Sequence, residues 1–241
     1  MKTVIIVPTY DEAANIGKLL DAIFRVTASI HSSTVDVLIV DDNSPDGTGS
    51  IVVAFSMERG LDKRLFLLTR TGKLGLASAY TAGLSWGLEH GYEQVIIMDA
   101  DLSHNPSYLP EMIGKMKESD LVIGSRYVQG GGVLGWGIMR KIVSFGGSFF
   151  ARSVLRCPIK DFTSGFTGWK SEALEKLNMR NISSKGYSFN FEIKYRAFRA
   201  GLKIAEFPIL FENRVQGKSK MPLSTVLEAV YRVFILRRIV K

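Results

Sequence analysis

Short apolar runs alternate with amphipathic segments through the first half of the chain. Runs rich in β-branched residues, and short enough to be strands, occupy residues 4–7, 35–40, 65–68, 95–98 and 121–123,. Helical spacing of apolar residues predicts helices over residues 15–25, 51–59 and 77–88,. Because the strands are apolar throughout and alternate with helices, we predict an α/β domain with a mostly parallel sheet covered on both faces.

The second half of the chain contains more glycine and more aromatic residues. We predict a flexible, partly apolar stretch at residues 129–137 and a polar, glycine-rich loop at residues 160–170,. Helices are predicted over residues 139–155 and 171–177 and up to Ala200, followed by a late strand over residues 203–211,. The pattern divides the chain into a main domain, residues 1–220, and a basic amphipathic C-terminal helix, residues 221–241.

Acidic side chains follow several of the predicted strands. Glu12 follows the first strand, Asp41 and Asp42 follow the second, and Asp99 and Asp101 follow the fourth. The carboxyl ends of parallel strands meet at one edge of the sheet, where such folds bind ligands. Side chains two residues apart in an extended segment point the same way, so Asp99 and Asp101 can share a divalent cation that carries a phosphate. A pair of acids in a solvated loop would have the same sequence, so this pair alone does not distinguish a metal site from a solvated loop.

The chain is basic, with 31 Lys and Arg against 23 Asp and Glu and a net charge of +8. This charge indicates an anionic partner, which could be nucleic acid, acidic lipid head groups or a phosphorylated substrate. A single cysteine, Cys157, excludes an internal disulfide and a cysteine-rich zinc site, and three scattered histidines argue against a histidine-based metal site,. No G-x-G-x-x-G motif follows the first strand, so the usual dinucleotide fingerprint is missing,.

The apolar runs are too short for a signal peptide or a membrane span. The N-terminal run is shorter than the h-region of a signal peptide and is predicted to be the first strand,. No uninterrupted apolar run approaches the roughly 20 residues that cross a bilayer. We therefore expect no transmembrane segment in this chain.

Basic residues of the predicted loops are candidates for binding the anion: Lys73, Arg126, Arg140, Arg214 and Lys220. Arginine offers phosphate a planar fork of donors, whereas lysine offers a point charge. Arg126 and Arg140 are the stronger candidates because each lies in a loop with glycine and aromatic residues, although a solvated surface charge is the alternative. Asp161 is interpreted as a turn cap or as part of the site. Glu192 is interpreted as a residue at a helix start, either a cap or a catalytic acid, and His104 as a polar loop residue.

Several segments match the motifs of one enzyme family. They are VIIVPTYDEAANI, VLIVDDNSPDGT, KLGLASAYTAGL, IIMDADLSH, VIGSRYVQGGGV, DFTSGFTGW, GYSFNFEI and ENRVQGKSKM, spread over residues 4–221. On these motifs the chain resembles the family 2 glycosyltransferases with the glycosyltransferase A fold, and among them the dolichol-phosphate (polyprenol-phosphate) mannose synthases. The D-x-D pair alone is weak, but DADLSH, GSRYVQGGG and RVQGKSKM in this order point to that subfamily.

The resemblance implies how a sugar nucleotide would be held. The residues expected to contact the guanine nucleotide and its ribose are Pro8, Tyr10, Glu12, Val40 and Asp42. Asp99, Ala100 and Asp101 are expected to hold the diphosphate and a Mg²⁺ or Mn²⁺ ion. Ser103 would be a further metal ligand, at a position where some relatives have Gln.

Basic residues complete the implied site. Arg126 and Arg140 are expected to serve the acceptor and donor phosphates, and Arg214 and Lys220 the diphosphate. Together with Asp101, the two arginines Arg126 and Arg140 are the residues expected to be catalytic.

The resemblance also implies the reaction. The expected enzyme is a metal-dependent dolichyl-phosphate β-D-mannosyltransferase, which transfers mannose from GDP-mannose to dolichyl or polyprenyl phosphate and releases GDP. A phosphate acceptor is already ionised, so a general base is not needed to activate it. In-line displacement, with the acceptor phosphate and the departing diphosphate on opposite faces of the sugar, predicts inversion and a β-mannosyl phosphoryl lipid.

A lipid acceptor implies that the site approaches a membrane surface. The expected location is peripheral, on the cytoplasmic face of the endoplasmic reticulum in a eukaryote or of the plasma membrane in an archaeon or bacterium. The apolar loop at residues 133–139, the helix after it and the basic tail suit interfacial contact, although the tail could equally pack on the core or on a partner. Larger relatives add transmembrane helices after this domain, so the chain is a natural short form or a truncated one. A small membrane-anchoring subunit is a candidate partner.

Three other interpretations stay open from the sequence. A polyprenyl-phosphate glucosyl- or aminosugar-transferase with a UDP-sugar donor would share the fold and the metal. A nucleic-acid-binding protein would explain the charge, but the basic residues are spread through loops and form no nucleic-acid motif,. A non-enzymatic anchoring subunit is disfavoured by the intact pair of Asp99 and Asp101.

Overall fold

A computed structural model describes residues 1–177, 182, 184, 186, 188–212 and 223–240, and for residues 223–229 it describes the backbone alone. The first elements are β1 (Lys2–Thr9), α1 (Ala13–Thr27), β2 (Thr34–Asp41), α2 (Thr48–Arg59), β3 (Leu65–Thr69), α3 (Leu76–Glu89) and β4 (Gln94–Ile97). They are followed by α4 (Leu109–Lys115), β5 (Leu121–Ser125), β6 (Gly132–Val133), α5 (Ile138–Leu155), β7 (Thr167–Lys170) and α6 (Ser171–Lys176). The last elements are α7 (Ser188–Arg199), β8 (Ile204–Pro208), β9 (Leu210–Phe211) and α8 (Leu223–Ile239).

Within the described residues, seven strands form one sheet in the order β3-β2-β1-β4-β7-β5-β8. Neighbouring strands are parallel except for β7, which is antiparallel to both β4 and β5. Successive side chains of β1 point to opposite faces, so Ile6 packs in the cluster with α3 and α5 while Ile5 packs with α1 and α4,. The predicted α/β domain with a mostly parallel, doubly covered sheet is confirmed.

The carboxyl ends of the central strands meet at one edge of the sheet. Thr9 at the end of β1 pairs with Asp41 at the end of β2, and Ile6 pairs with Ile97 at the end of β4. The loops that leave these three strands each contain a non-glycine residue in the left-handed region: Asp11, Asn43 and Leu102, with φ of 60°, 56° and 62°. Such residues are uncommon and tend to occur where function requires a particular turn.

One glycine of helix α3 packs directly against the sheet. A Cβ atom at Gly83 would come within 2.4 Å of Cγ2 of Ile6, a distance that packed carbon atoms do not tolerate. Without that atom the helix approaches β1, and Tyr80, one turn earlier, reaches the carboxyl edge of the sheet. The small residues of α3 thereby determine which side chains enter the site.

The predicted loop at residues 160–170 is wrong at its C-terminal end, because residues 167–170 form β7 in the middle of the sheet. Its backbone pairs with β4 on one side and β5 on the other. A Cβ atom at Gly168 would lie 2.6 Å from Sδ of Met116, so glycine is required for α4 to pack there. The glycine and hydroxyl residues that suggested a loop therefore belong to a strand, in which the packing requires a glycine.

Two further predictions about the second half are corrected. The late strand over residues 203–211 divides at Ile209 into β8 of the main sheet and β9, which pairs with β6 in a small second sheet. Glu192 is not at a helix start: α7 begins four residues earlier, at Ser188, and Glu192 is fully buried within it. Its carboxylate accepts hydrogen bonds from Nε of Arg196 and the backbone N–H of Ser184, each 2.8 Å long.

Helix α8 packs on the main body of the molecule. Val233 and Leu236 are buried in the core cluster, and the ring of Phe234 contacts that of Phe150 on α5 at 5.6 Å. The boundary predicted at residue 220 lies outside the described residues and stays a prediction. In the part of the chain that the structure describes, no helix is both long enough and apolar enough to cross a membrane.

Candidate active site

A cleft of about 470 Å³ opens at the carboxyl edge of the sheet. Its lining residues come from the loops after β1, β2, β3 and β4 and from the start of α3: Pro8, Thr9, Tyr10, Glu12, Asp42, Lys73, Gly75, Leu76, Ala79, Asp99, Ala100 and Asp101. Seven of the residues predicted to contact the nucleotide, diphosphate or metal are among them. The volume is within the range of about 300–1,000 Å³ that is usual for small-molecule sites.

Asp99 is held by a tyrosine and a histidine. The hydroxyl of Tyr80 donates a 2.8 Å hydrogen bond to Oδ1 of Asp99. The backbone N–H of Asp99 donates to Nδ1 of His104 at 2.9 Å, so in the neutral ring the proton resides on Nε2, 3.9 Å from Oδ2 of Asp99,. These contacts fix both the side chain and the backbone of Asp99.

His104 lies in a loop, as the sequence suggested, but it is buried rather than solvated. It is 2% exposed, and its ring stacks on Phe166 at 5.1 Å and meets Phe211 edge-on at 5.4 Å. Burial lowers the pKa of His104, which the carboxylates of Asp99 and Asp101 oppose,. The imidazole therefore supports Asp99 as a neutral, buried hydrogen-bond acceptor.

Asp101 is held by the turn that follows it. The backbone N–H and the hydroxyl of Ser103 donate to Oδ1 of Asp101 at 3.1 and 2.5 Å. Between them Leu102 adopts the left-handed conformation, which is unfavourable for a bulky residue and which the turn requires,. Strand β4 ends at Ile97, two residues before Asp99, so a loop rather than an extended strand brings the two carboxylates to the cleft.

The oxygen atoms at this end of the cleft fit a hard divalent cation. Asp99 and Asp101 supply carboxylates and Ser103 a hydroxyl, and such oxygen ligands suit Mg²⁺ or Mn²⁺. No cluster of three or more His, Cys, Asp or Glu side chains with metal-binding geometry occurs among the described residues. An ion held by two carboxylates would take its other ligands from water and a bound phosphate.

Asp42 supports the wall of the cleft that carries Lys73. Its carboxylate accepts hydrogen bonds from Nε of Arg70 at 2.6 Å and from the backbone N–H groups of Leu74 and Gly75 at 3.0 and 3.3 Å. Nζ of Lys73 lies 3.9 Å from the ring centroid of Tyr10 across the cleft. Of the residues predicted to contact the nucleotide, Val40 is fully buried in the core rather than lining the cleft.

Arg126 forms a buried ion pair at the end of β5. Its Nε and one terminal nitrogen donate to the two carboxylate oxygens of Asp161, each at 2.7 Å, and the same terminal nitrogen donates to Oγ1 of Thr163 at 2.6 Å. Burial opposes both charges, but each partner outweighs it: the pKa of Arg126 is raised and that of Asp161 is lowered. Asp161 thus orients the guanidinium of Arg126 and is more than a turn cap.

Lys194 supports the backbone of the loop that contains Asp161. It is fully buried on α7, and its ammonium donates to the backbone carbonyls of Asp161, Phe162 and Ser164 at 3.0, 3.0 and 2.6 Å. Burial lowers the pKa of Lys194 to about 7, and the nearby Asp161 opposes this shift. Lys194 therefore fixes the backbone that presents Asp161 to Arg126.

A ring cluster surrounds Arg126 and Arg140. Cζ of Arg140 lies 3.9 Å from the ring centroid of Trp136, and Cζ of Arg126 lies 5.4 Å from the same centroid. The Trp136 ring meets Phe211 edge-on at 5.3 Å, and the hydroxyl of Tyr127 donates to Oγ of Ser144 at 2.7 Å. The two arginines predicted to bind phosphate are thus brought together around one aromatic residue.

Two predicted residues and three unpredicted ones complete the site. Arg214 and Lys220 lie outside the described residues, so their roles stay predictions. Tyr80, Lys194 and Trp136 were not singled out from the sequence. None of the three left a usable signal: Phe189, Phe191 and Ile193 alternate with polar residues before Lys194, and lysine is seldom fully buried,.

The sequence is similar to one family of known proteins over most of its length. Residues 4–177 match the family model described as Glycosyl transferase family 2. An undecaprenyl-phosphate mannosyltransferase of Micrococcus luteus is 40% identical over 237 residues, which cover 97% of this chain and 93% of that protein. A polyprenol monophosphomannose synthase of Mycolicibacterium smegmatis is 37% identical over 233 residues, which cover 96% of this chain and 85% of that protein.

Solved structures share the fold at low sequence identity. Glucosyl-3-phosphoglycerate synthase of Mycobacterium tuberculosis, in complex with Mn²⁺, UDP and glucosyl-3-phosphoglycerate, matches with a TM-score of 0.68 and 19% identity, covering 98% of this chain and 79% of that one. Mannosyl-3-phosphoglycerate synthase of Rubrobacter xylanophilus matches with a TM-score of 0.69 and 17% identity, covering 98% and 74%. These likenesses concern the fold alone.

Proposed function

The chain belongs to glycosyl transferase family 2 and has the glycosyltransferase A fold, and from this premise we propose that it transfers mannose from GDP-mannose to a dolichyl or polyprenyl phosphate. The observation that carries the proposal is the pairing of two charge environments. Asp99 and Asp101 line the cleft at the sheet edge, and Arg126 and Arg140 are gathered around Trp136 beyond it. The names of the two full-length relatives support mannose as the sugar and a polyprenyl phosphate as the acceptor.

The carboxylate end would bind the donor. Asp99 and Asp101, with Ser103, would hold a Mg²⁺ or Mn²⁺ ion, which neutralises charge on the departing diphosphate. Tyr80 and His104 keep Asp99 in place before the donor binds, so little reorganisation is needed on binding,. Arg214 and Lys220 are proposed to contribute further positive charge on the diphosphate side.

The arginine end would bind the acceptor. A lipid phosphate is negatively charged at neutral pH and can attack without a general base, so the protein has to position it rather than activate it. Asp161 fixes the plane of the Arg126 guanidinium, and Arg140 lies against Trp136 at the start of α5. Attack from the face of the sugar opposite the diphosphate would invert the anomeric centre and give a β-mannosyl phosphoryl lipid.

The donor base separates this proposal from its nearest alternative. Glu12 lines the cleft and its carboxylate accepts a hydrogen bond from Nδ2 of Asn15 at 2.8 Å. A carboxylate can accept two hydrogen bonds from the Watson–Crick edge of guanine, whereas uracil offers a single N–H donor. In calorimetric titrations with Mg²⁺ present, we expect GDP to bind at least about 10-fold more tightly than UDP. With uracil in the site, one carboxylate oxygen of Glu12 would lose the hydrogen bond that guanine provides. Replacement of Glu12 by Gln should narrow the difference in affinity between GDP and UDP, while replacement of Glu111, which is exposed on α4, by Gln should not.

Tighter binding of UDP than of GDP would replace the proposal with a UDP-sugar transferase on the same fold. Equal and weak binding of both nucleotides would exclude a GDP- or UDP-sugar as the donor. Because the titration contains no lipid, its result does not depend on the acceptor.

A stripe on α5 is proposed to rest on the membrane surface. Its apolar side chains follow helical spacing and are more than half exposed: Ile138, Ile142, Phe145 and Phe149,. Arg140 and Lys141 lie beside the stripe, and such basic residues are attracted to anionic lipid,. Because Ser144 on the same helix contacts Tyr127 next to Arg126, a lipid lying against the stripe would have its phosphate near the arginines.

Vesicle flotation tests the stripe. Replacing Ile142 and Phe149 together by Ser should reduce binding to vesicles of anionic phospholipid at least about 10-fold, since two exposed apolar side chains would no longer enter the interface. The matched control replaces Val53 and Met57, which are exposed on α2, by Ser and should leave flotation unchanged. Undiminished flotation of the α5 variant would remove the stripe from the proposal and leave the tail or an anchoring subunit as the membrane contact.

The protein is proposed to bind the cytoplasmic face of the membrane, where nucleotide sugars are available. The proposed function involves no nucleic acid.

A further inference from the structure

Trp136 carries a buried hydrogen-bond donor that no described residue satisfies. The side chain is 92% buried, and its Nε1 has no partner among the described residues. Buried donors in folded proteins are nearly always paired, because an unpaired donor loses its hydrogen bonds to water without replacement. The indole N–H of Trp136 therefore calls for a partner that binds there.

Three other buried polar atoms of the described residues have no partner, Oδ1 of Asp36, Nε of Arg64 and Oγ of Ser184, and the first two differ from Nε1 of Trp136 in their surroundings. Oδ1 of Asp36 and Nε of Arg64 lie 3.6 Å from each other and attract each other as opposite charges. They lie at the amino end of β2, on the edge of the sheet away from the cleft. Trp136 instead lies between the two arginines that the proposed function assigns to the acceptor.

The surroundings of Trp136 indicate that the missing partner is an anion. An indole nitrogen can only donate, so it cannot bind a cation. Among the described residues, two guanidinium groups lie within 5.4 Å of its ring centroid, and that of Arg126 is already engaged by Asp161. A further neutral donor would strengthen anion binding without adding another buried positive charge.

The anion at Trp136 is distinct from the one at the carboxylates. Trp136 contacts Phe211, Phe211 contacts His104, and His104 binds the backbone of Asp99. Two aromatic residues thus separate the indole from the Asp99 and Asp101 pair, and Trp136 does not line the cleft.

We propose that the indole N–H of Trp136 donates a hydrogen bond to the phosphate of the lipid acceptor, between Arg126 and Arg140. This inference rests on the proposed function, because it assumes that the two arginines bind that phosphate. It adds a residue to the site, and it assigns to Trp136 recognition of the phosphate rather than of the isoprenyl chain.

Indole N–H resonances test the proposal directly. The chain has three tryptophans, so protein labelled with ¹⁵N at the indole gives three cross-peaks. Titration with a water-soluble ten-carbon isoprenyl phosphate should move the Trp136 peak downfield, whereas the matching isoprenyl alcohol should not. Trp136→Phe keeps an aromatic ring beside the arginines but lacks the donor, and it should bind the phosphate about 10-fold more weakly, the effect of one hydrogen bond to a charged group. Trp86→Phe, which is remote from the arginines, should bind it as the wild type does.

The assignment does not depend on the folding of Trp136→Phe. Trp86→Phe identifies a second peak, and the fully buried Trp169, which donates to Thr167, should exchange its indole hydrogen slowly and identify the third. A Trp136 peak that stays in place while the wild type binds the phosphate would overturn this inference and leave the proposed function intact. Failure of the wild type to bind the phosphate at all would overturn both.

Discussion

Replacement of Asp101 by Asn is expected to reduce sugar transfer about 1,000-fold or more while leaving the fold intact. The amide has the size of the carboxylate and can still accept the hydrogen bonds from Ser103, so the turn around Leu102 should persist. It lacks the charge that holds a divalent cation, and the departing diphosphate then loses its principal counter-charge. Initial rates of label transfer to a polyprenyl phosphate, measured at saturating donor, give the effect.

A matched substitution controls for the loss of a negative charge. Asp120 lies at the start of β5, on the opposite edge of the sheet, and its carboxylate is about one-third exposed. Asp120→Asn should change the rate less than about 2-fold, because a surface charge that far from the cleft is screened by solvent. Calorimetric titration with Mn²⁺ should give weaker binding to Asp101→Asn than to Asp120→Asn. Equal metal binding together with a normal transfer rate would exclude Asp101 as a metal ligand.

Replacement of Asp161 by Asn is expected to lower the free energy of unfolding by about 3–5 kcal/mol, since it leaves a buried guanidinium without its counter-charge. Arg126 is 5% exposed and shares two 2.7 Å hydrogen bonds with that carboxylate. The ammonium of Lys194 would also lose its nearest negative charge. Denaturation by urea, followed by circular dichroism, measures the change.

The same pair predicts a pH dependence. The pKa of Asp161 is lowered in the folded protein, so its contribution to stability is present at neutral pH and is lost as the pH falls through the folded-state value,. Asp161→Asn should therefore lose less stability than the wild type does on acidification, whereas Asp120→Asn should follow the wild type. A difference below about 1 kcal/mol between Asp161→Asn and the wild type at neutral pH would contradict the assignment of a buried ion pair.

Much of the fold follows from local patterns that need no long-range information. Each of the first four strands is a short apolar run that ends in polar turn residues, and the structure has a strand at each of them. The carboxylates Asp99 and Asp101 could be located because any parallel strand of this kind delivers its C-terminal loop to the ligand edge. The family predicted from the order of the motifs is confirmed by the family model and the two full-length relatives.

Other features depend on contacts between distant residues. Strand β7 was missed because its glycine and hydroxyl residues are suited to a strand only between two partner strands and beneath Met116. Asp161 lies 35 residues from Arg126 and 33 from Lys194, and no local pattern couples them. The burial of His104 likewise results from rings supplied by distant parts of the chain, Phe166 and Phe211.

The anomeric carbon of the sugar gives the most direct test of the proposed displacement. GDP-mannose labelled with ¹³C at that carbon is incubated with a polyprenyl phosphate, Mg²⁺ and the protein, and the signal is followed by NMR. We expect the α-linked donor signal to be replaced by that of a β-linked mannosyl phosphate, and a chelator to stop the conversion. An α-linked product, or an unchanged rate in the presence of the chelator, would contradict the proposed displacement.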